Sequence, residues 1–343
     1  MDKDELLRKI QDIVSQNPVV VIGSGASVKY GIAGMGELAE ELKTFYNNNT
    51  YGDAEADECV SKFVTNINKG MGLEDALLNV RVPEKVEKDI VHVVWNVIAK
   101  NEMTVYNKFL KGDELALTCL FNYLIYNHKE QTVNIVTTNY DRIPEYAASR
   151  TEAYLNTGFK SMTMGNLLEN LDDKRLQKLD NYTGVLNLWK IHGSLDWFKK
   201  DDKIYYIPNT FEIPSGFEPC IITPGTNKYE KINQDPNRAL LEQIDTSFKN
   251  ASGYLCIGYG FNDSHVHPRI LKYSKDRQKT ILIVTRDLTE AIKSFVMVDG
   301  VNYIILVSDS VHGTDIYCSD MKDKLNIPDI EYWSVEGLCS LIK

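Results

Sequence analysis

A run of β-branched residues, Pro18-Val-Val-Val-Ile22, passes without a break into Gly23-Ser-Gly-Ala-Ser27. A buried strand ending in a glycine turn constrains the fold more than any other feature of the chain. Consecutive rather than alternating apolar residues suit a strand covered on both faces, as in a parallel sheet. The pattern recurs. Thr132 to Thr137 ends in Thr138-Asn-Tyr-Asp141, and Val185 to Ile191 leads into His192-Gly-Ser-Leu-Asp-Trp197. Gly253 to Ile257 ends in Gly258-Tyr-Gly-Phe-Asn-Asp263, and Thr280 to Val284 in Thr285-Arg-Asp287. Lys203 to Ile207, Cys220 to Thr223 and Tyr303 to Val307 read as further strands, and Glu5 to Val14 and Leu288 to Met297 as helices. Strands alternating with helices predict an α/β, Rossmann-like fold with a mostly parallel sheet and helices on both faces. Ligands of such sheets bind beyond the carboxyl ends of the strands.

The spacing between strands is uneven. From Gly36 to Tyr126 the periodicity is mainly helical: Leu38, Leu42 and Phe45 share a face, Asn47 to Asp53 breaks the pattern, and Val86 to Ile98 and Leu115 to Ile125 resume it. This interval is too long for a loop, so a helical insertion or subdomain over about residues 36–130 is expected within one domain spanning 1–343. A second variable interval, Tyr146 to Thr183, holds Gly158, Gly165 and a charged run from Glu169 to Asp180.

The charge balance, 48 acidic against 38 basic residues for a net -10, argues against nucleic-acid binding and against anionic membranes. Cys59, Cys119, Cys220, Cys256, Cys318 and Cys339 form no CxxC pair, which reads as free thiols in a reducing compartment. Met1 to Asp12 is charged and amphipathic, unlike a signal peptide, and no apolar stretch is long enough to span a bilayer. A cytoplasmic, membrane-free protein is expected.

The strand ends carry the candidate chemistry. Gly23, Ser24, Gly25, Ala26 and Ser27 suit a turn where phosphates approach backbone N–H groups, although a plain tight turn explains a lone Gly-x-Gly equally well. Thr138, Asn139 and Asp141 can orient an amide or a ribose; helix capping by Asn139 and Asp141 is the competing reading. His192 is a candidate proton-transfer group, because histidine side chains can exchange protons near neutral pH, yet a lone histidine is more often structural. Gly258, Tyr259, Asn262 and Asp263 offer a further ligand edge or an ordinary turn. His265 and His267, two residues apart with Pro268 following, fit a helix start better than a metal pair.

Taken in order, these segments resemble the sirtuin superfamily, and within it the bacterial SIR2-like NAD-hydrolase domains of antiphage defence systems. The matching residues are Gly23 to Ser27 with Gly31 and Ile32, then Thr138 to Asp141, Ile191 to Ser194, and Ile257 to Asp263. The resemblance implies that Gly23, Ser24, Gly25, Ala26 and Ser27 bind cofactor phosphates and ribose. It implies that Asn139 is the active-site asparagine, Asp141 holds the nicotinamide carboxamide, and His192 is the catalytic histidine. Thr138, Gly258, Tyr259 and Asn262 would border the nucleotide, with Thr285 a further contact.

Deacetylases of the superfamily carry a four-cysteine zinc module between the histidine and the later glycine segment. Here that interval holds only Cys220 and Cys256, so no zinc or other metal is expected. By the resemblance the chain is an NAD+ nucleosidase, or NAD+ glycohydrolase, taking NAD+ as substrate and releasing nicotinamide and ADP-ribose as an antiviral defence effector. Alternatives are an NAD-dependent protein deacylase or ADP-ribosyltransferase, and a non-catalytic nucleotide sensor. The resemblance also implies a homo-oligomer and a HerA-type ATPase or Argonaute-like partner.

Overall fold

The computed structural model describes residues 2–343 other than 79, 128–130, 161–162, 169–170, 172–180 and 225–234; the charged run from Glu169 to Asp180 therefore lies, apart from Leu171, outside the described residues. The amino-terminal elements are α1 (Lys3–Ser15), β1 (Val19–Ile22), α2 (Gly25–Val28), α3 (Met35–Asn47), α4 (Ala54–Asn68), α5 (Leu73–Leu78), α6 (Glu84–Leu110) and α7 (Ala116–Asn127). The middle of the chain forms β2 (Thr132–Thr137), α8 (Ile143–Ala148), β3 (Ala153–Asn156), β4 (Gly165–Asn166), β5 (Gly184–Lys190), β6 (Gly193–Lys200), β7 (Lys203–Tyr206) and β8 (Glu218–Ile221). Then follow α9 (Asn237–Asn250), β9 (Tyr254–Ile257), α10 (His267–Arg277), β10 (Ile281–Val284), α11 (Glu290–Phe295), β11 (Tyr303–Ser308), β12 (Thr314–Cys318), β13 (Leu325–Ile327) and α12 (Val335–Ile342).

The main sheet runs β13-β12-β11-β10-β9-β1-β2-β5-β3. From β11 to β3 every pairing is parallel; β12 and β13 close one edge antiparallel. Its burial explains the unbroken apolar runs. Val20 and Ile22 of β1 enter the core beneath α1, α3 and α7, whereas Val19 and Val21 enter the opposite core beside Phe248 of α9 and Ile270 of α10. Both faces are covered, so neither set of side chains is polar. The expected α/β, Rossmann-like architecture with helices on both faces is what the chain adopts.

Connectivity places the crevice. From β1 the chain passes to β2, on to the edge strand β3 and back to β5 between them, then crosses to β9 on the other side of β1 and builds outward again. This reversal is where open α/β sheets bind ligands, at the carboxyl ends of the strands. Helices α2 to α7 all lie between β1 and β2 in the chain.

A second, antiparallel sheet, β4-β7-β6-β8, departs from the sequence reading, in which His192 to Trp197 was a polar strand end. β6 is buried from Gly193 to Phe198 with Ser194 and Asp196 inside. Strand patterns assume that polar residues face water; here a buried arginine neutralises Asp196 instead. Trp197 packs on Phe159 with ring centroids 5.0 Å apart. Among the described residues no helix is long and apolar enough to cross a membrane.

Candidate active site

The strand ends are tied together before any ligand is considered. Thr137 Oγ1 donates to the Ile22 carbonyl at 2.9 Å, linking the end of β2 to the end of β1, and accepts from the Asn139 amide at 3.1 Å. Asn139 Nδ2 then donates to the Gly23 carbonyl at 3.0 Å and to Ser27 Oγ at 3.2 Å. A carbonyl oxygen only accepts, so this fixes which end of the amide is nitrogen. With its hydrogens committed to the protein, what Asn139 offers a ligand is the acceptor Oδ1.

The glycines do structural work at these strand ends. A Cβ on Gly23 would lie 2.5 Å from the Gly258 carbonyl oxygen, and one on Gly258 2.2 Å from the Ala26 nitrogen, with Gly258 at φ +55°. Gly23 and Gly25 N–H groups donate to the carbonyls of Ile257 and Gly258, both at 3.0 Å, so they are not aimed at a phosphate. The glycines let two loops, after β1 and after β9, touch backbone to backbone. Ser27 is likewise turned inward: it is buried and its hydroxyl oxygen accepts from Asn139.

Asp141 is buried, and desolvation pushes its carboxyl above the usual range against the pull of Lys190, the Ser27 hydroxyl and the Ile143 amide. Behind it lies a closed charge network. Lys190 Nζ donates to the Asp141 carbonyl and, at 2.8 Å, to Glu145 Oε1. Arg142 pairs with Glu102 of α6 and, at 2.8 Å, with Asp196 of β6, and lies over the Phe211 ring. Carboxyls outnumber cations in this buried cluster, and burial raises Asp196 as well as Asp141 and pushes Glu145 up to about 7. None of Glu102, Arg142, Glu145, Lys190 or Asp196 was singled out from the sequence. Charged residues inside predicted strands and helices ordinarily face solvent, and no local pattern marks these as exceptions.

His192 follows β5 at the turn into β6. Gly193 makes the turn at φ +84°, where a Cβ would meet the Cys220 carbonyl oxygen at 2.2 Å. The His192 carbonyl accepts from the Ile222 amide at 2.8 Å. Its Nε2 is 3.0 Å from Asp263 Oδ2 but off the direction a hydrogen bond needs. Asp263 Oδ1 accepts from the amides of His265 and Val266, both at 3.0 Å.

One cleft of about 200 Å³ gathers Gly23, Ser24, Ser27, Thr138, Asn139, Asp141, His192, Tyr259 and Asn262, all anticipated, with Asp263 among them. Glu74 of α5 and Ile98 of α6 close it from the helical side, where no local pattern marks a site. Gly25, Ala26, Gly258 and Thr285 are not in this cleft. They line a second cavity of about 300 Å³, on the other side of the glycine contact, with Arg286, Asp287 and Trp333. His267 stacks on Phe295 at 4.6 Å, and burial lowers its basicity. Among the described residues no three His, Cys, Asp or Glu side chains group as metal ligands do.

Among solved structures, the chain is similar to a Sir2 homologue in complex with NAD, at 14% identity over 87% of this chain and 87% of that one, TM-score 0.47. It is similar to a Sir2 homologue mutant in complex with 2′-O-acetyl ADP ribose, at 15% identity over 88% and 90%, TM-score 0.47. It is also similar to Sir2 bound to acetylated peptide, at 11% identity over 86% and 90%, TM-score 0.41. No curated protein matches the sequence. The sequence model of the SIR2-like domain matches residues 133–304, half of the chain and the part that carries Asn139, Asp141, His192 and Gly258, and the chain belongs to the SIR2-like domain family.

Proposed function

We propose that this chain binds NAD+ across the ends of β1, β2, β5 and β9 and breaks the bond between nicotinamide and ribose C1′, with water as the acceptor. The observation that carries the reading is the convergence of Asn139, Asp141 and His192, from separate strand ends, on one cleft. At about 200 Å³ this cleft is smaller than sites that enclose a drug-sized ligand, roughly 300–1,000 Å³. It suits one half of a dinucleotide. The cavity holding Thr285 lies beyond the glycine contact, where the adenosine half of the same molecule would lie.

In this reading Asn139 Oδ1 and the Asp141 carboxyl orient the carboxamide and ribose, and charge developing at C1′ meets polar groups already fixed in place. His192 takes a proton from a ribose hydroxyl or from the attacking water. Asp263 stabilises the imidazolium that results. Water adds at C1′, nicotinamide leaves with the bonding pair, and one proton is released overall.

A second reading, transfer to an acylated lysine, draws support from a groove lined by His92 and Val91 of α6, Lys199 of β6 and Pro219 of β8, which shares Ile222 with the cleft. Both readings break the same bond. Chromatography of the products formed from NAD+, with and without acylated peptide, separates them: nicotinamide and ADP-ribose without peptide support hydrolysis, and strict dependence on peptide overturns it. Gating by self-association or by a partner, and a defence role, belong to the hydrolase reading and are tested by copurification.

A further inference from the structure

Helix α6 reaches both halves of the candidate catalytic pair from a single face. Trp95, Ile98 and Glu102 are three and then four residues apart, one stripe on a helix, and all are buried. Trp95 Nε1 donates to the Leu195 carbonyl at 3.1 Å, on the strand that leaves His192, and its ring packs on Phe198. Glu102 accepts from the Arg142 amide at 2.6 Å, pairs with the Arg142 guanidinium and accepts from the Tyr146 hydroxyl. Arg142 directly follows Asp141. Between the two anchors, Ile98 lines the cleft.

The segments bolted to this face are the ones whose relative placement the chemistry needs. Direct bonds between them are Ile191 N to the Thr137 carbonyl at 3.1 Å, Leu195 N to the Tyr140 carbonyl at 3.0 Å, Lys190 Nζ to the Asp141 carbonyl, and the Arg142–Asp196 pair at 2.8 Å, in which Arg142 is itself held by Glu102. A helix is stiff along its axis, and the seven steps from Trp95 to Glu102 span about 10 Å. We propose that α6 is a strut setting the His192 turn against the Asn139–Asp141 loop, with Trp95 and Glu102 as positioning residues for cleavage of NAD+. The catalytic part of this inference rests on the function proposed above; the mechanical part does not. Misplacing a reacting group by about 1 Å costs about a hundredfold in rate. Loss of either anchor therefore lowers turnover without removing any group that touches the nucleotide.

The test uses the full chain and the variants Trp95→Phe, which keeps a ring but loses the N–H, and Glu102→Gln, which keeps the shape but loses the charge. Tyr46→Phe is the control: Tyr46 Oη donates to the Val86 carbonyl at 3.3 Å, anchoring the same helix away from both segments. The expected result is that kcat for NAD+ falls about tenfold or more in Trp95→Phe and Glu102→Gln, with KM within about twofold, and that Tyr46→Phe is unchanged. Amide hydrogen exchange quickens over 191–196 in Trp95→Phe and over 137–142 in Glu102→Gln. Placed on a His192→Ala background, Trp95→Phe has no further effect, because it acts through the imidazole. Equal loss in Tyr46→Phe, wild-type turnover in both anchor variants, or a full additional loss on His192→Ala overturns the strut. Should Glu102→Gln fail to fold, Trp95→Phe decides alone. If the wild-type chain does not cleave NAD+ at all, the proposed function fails, and the exchange experiment still decides the strut: unchanged exchange in both segments overturns it.

Discussion

His192 Nε2 faces Asp263 Oδ2 at 3.0 Å, while the other oxygen of that carboxylate is held by the His265 and Val266 amides. The acid is thus oriented by its own turn and presents one oxygen to the imidazole. His192→Ala is expected to lower NAD+ turnover by about 10²–10⁴, the usual range for losing a general base. Asp263→Asn, which removes the charge and keeps the shape, is expected to lower it less. Steady-state assays beside thermal unfolding check both; wild-type turnover in His192→Ala removes its role.

Asn139 does two things at once, and its variants separate them. Asn139→Ala leaves the Gly23 carbonyl and Ser27 hydroxyl without the donor they share. A buried group left unpaired costs about 1–3 kcal/mol. Turnover should fall by more than that loss of stability explains. Asn139→Asp turns an oxygen toward the Gly23 carbonyl and should be the less stable of the two. Urea midpoints beside NAD+ loss decide the order.

The loop contact at Gly258 predicts a contrast between glycines of similar backbone. Gly258 and Gly31 both have positive φ, but a Cβ at Gly258 strikes the Ala26 nitrogen at 2.2 Å and one at Gly31 meets nothing within 4 Å. Gly31→Ala should cost about 1–2 kcal/mol from conformation alone. Gly258→Ala adds a backbone clash and should cost about 3 kcal/mol or more, and the nucleotide affinity with it. Equal midpoints for the two would show that the loops do not need this contact.

Stability should fall as pH rises toward neutrality. Burial holds the Glu145 carboxyl up at about 7 in the folded chain, against an ordinary value of 4.5. Between these values the folded state binds more protons than the unfolded one. Stability from this group is therefore full below about pH 4.5 and is lost as pH rises through about 7, by an amount on the order of 3 kcal/mol. Asp141 and Asp196, also raised, act in the same direction. Melting temperature measured from pH 5 to pH 8 should fall, and Glu145→Gln should flatten the curve; an unchanged slope in the variant removes Glu145 as its source.

Much of the main sheet was legible because its strands carry their burial in their composition: Val19 to Ile22 faces apolar cores on both sides and reads as one apolar run. The cleft was legible for a related reason. Asn139, Asp141 and His192 stand just beyond such runs, where a parallel sheet leaves its ligand crevice. What stayed hidden depends on contacts between distant parts of the chain. Asp196 sits inside β6 only because Arg142, itself paired with Glu102, neutralises it, and nothing near Asp196 in the sequence announces that partner. β12 and β13 were missed because they pair antiparallel at an edge and interleave polar residues, as in Thr314-Asp-Ile-Tyr-Cys318, instead of forming an unbroken apolar run. The inward turn of Ser27 could not be read either, since its direction is set by Asn139, more than a hundred positions away.

The contact of Gly23 with Gly258 also bears on when the molecule can first act. Its two loops lie more than two hundred positions apart in the chain, and Asp263, which completes the surroundings of His192, is made later still. During synthesis the strands up to β5 leave the ribosome with their cleft unwalled. A nascent or truncated chain that stops short of Asp263 has nothing to close over a nucleotide, and whatever the finished protein does to its ligand begins only once that later segment has been made.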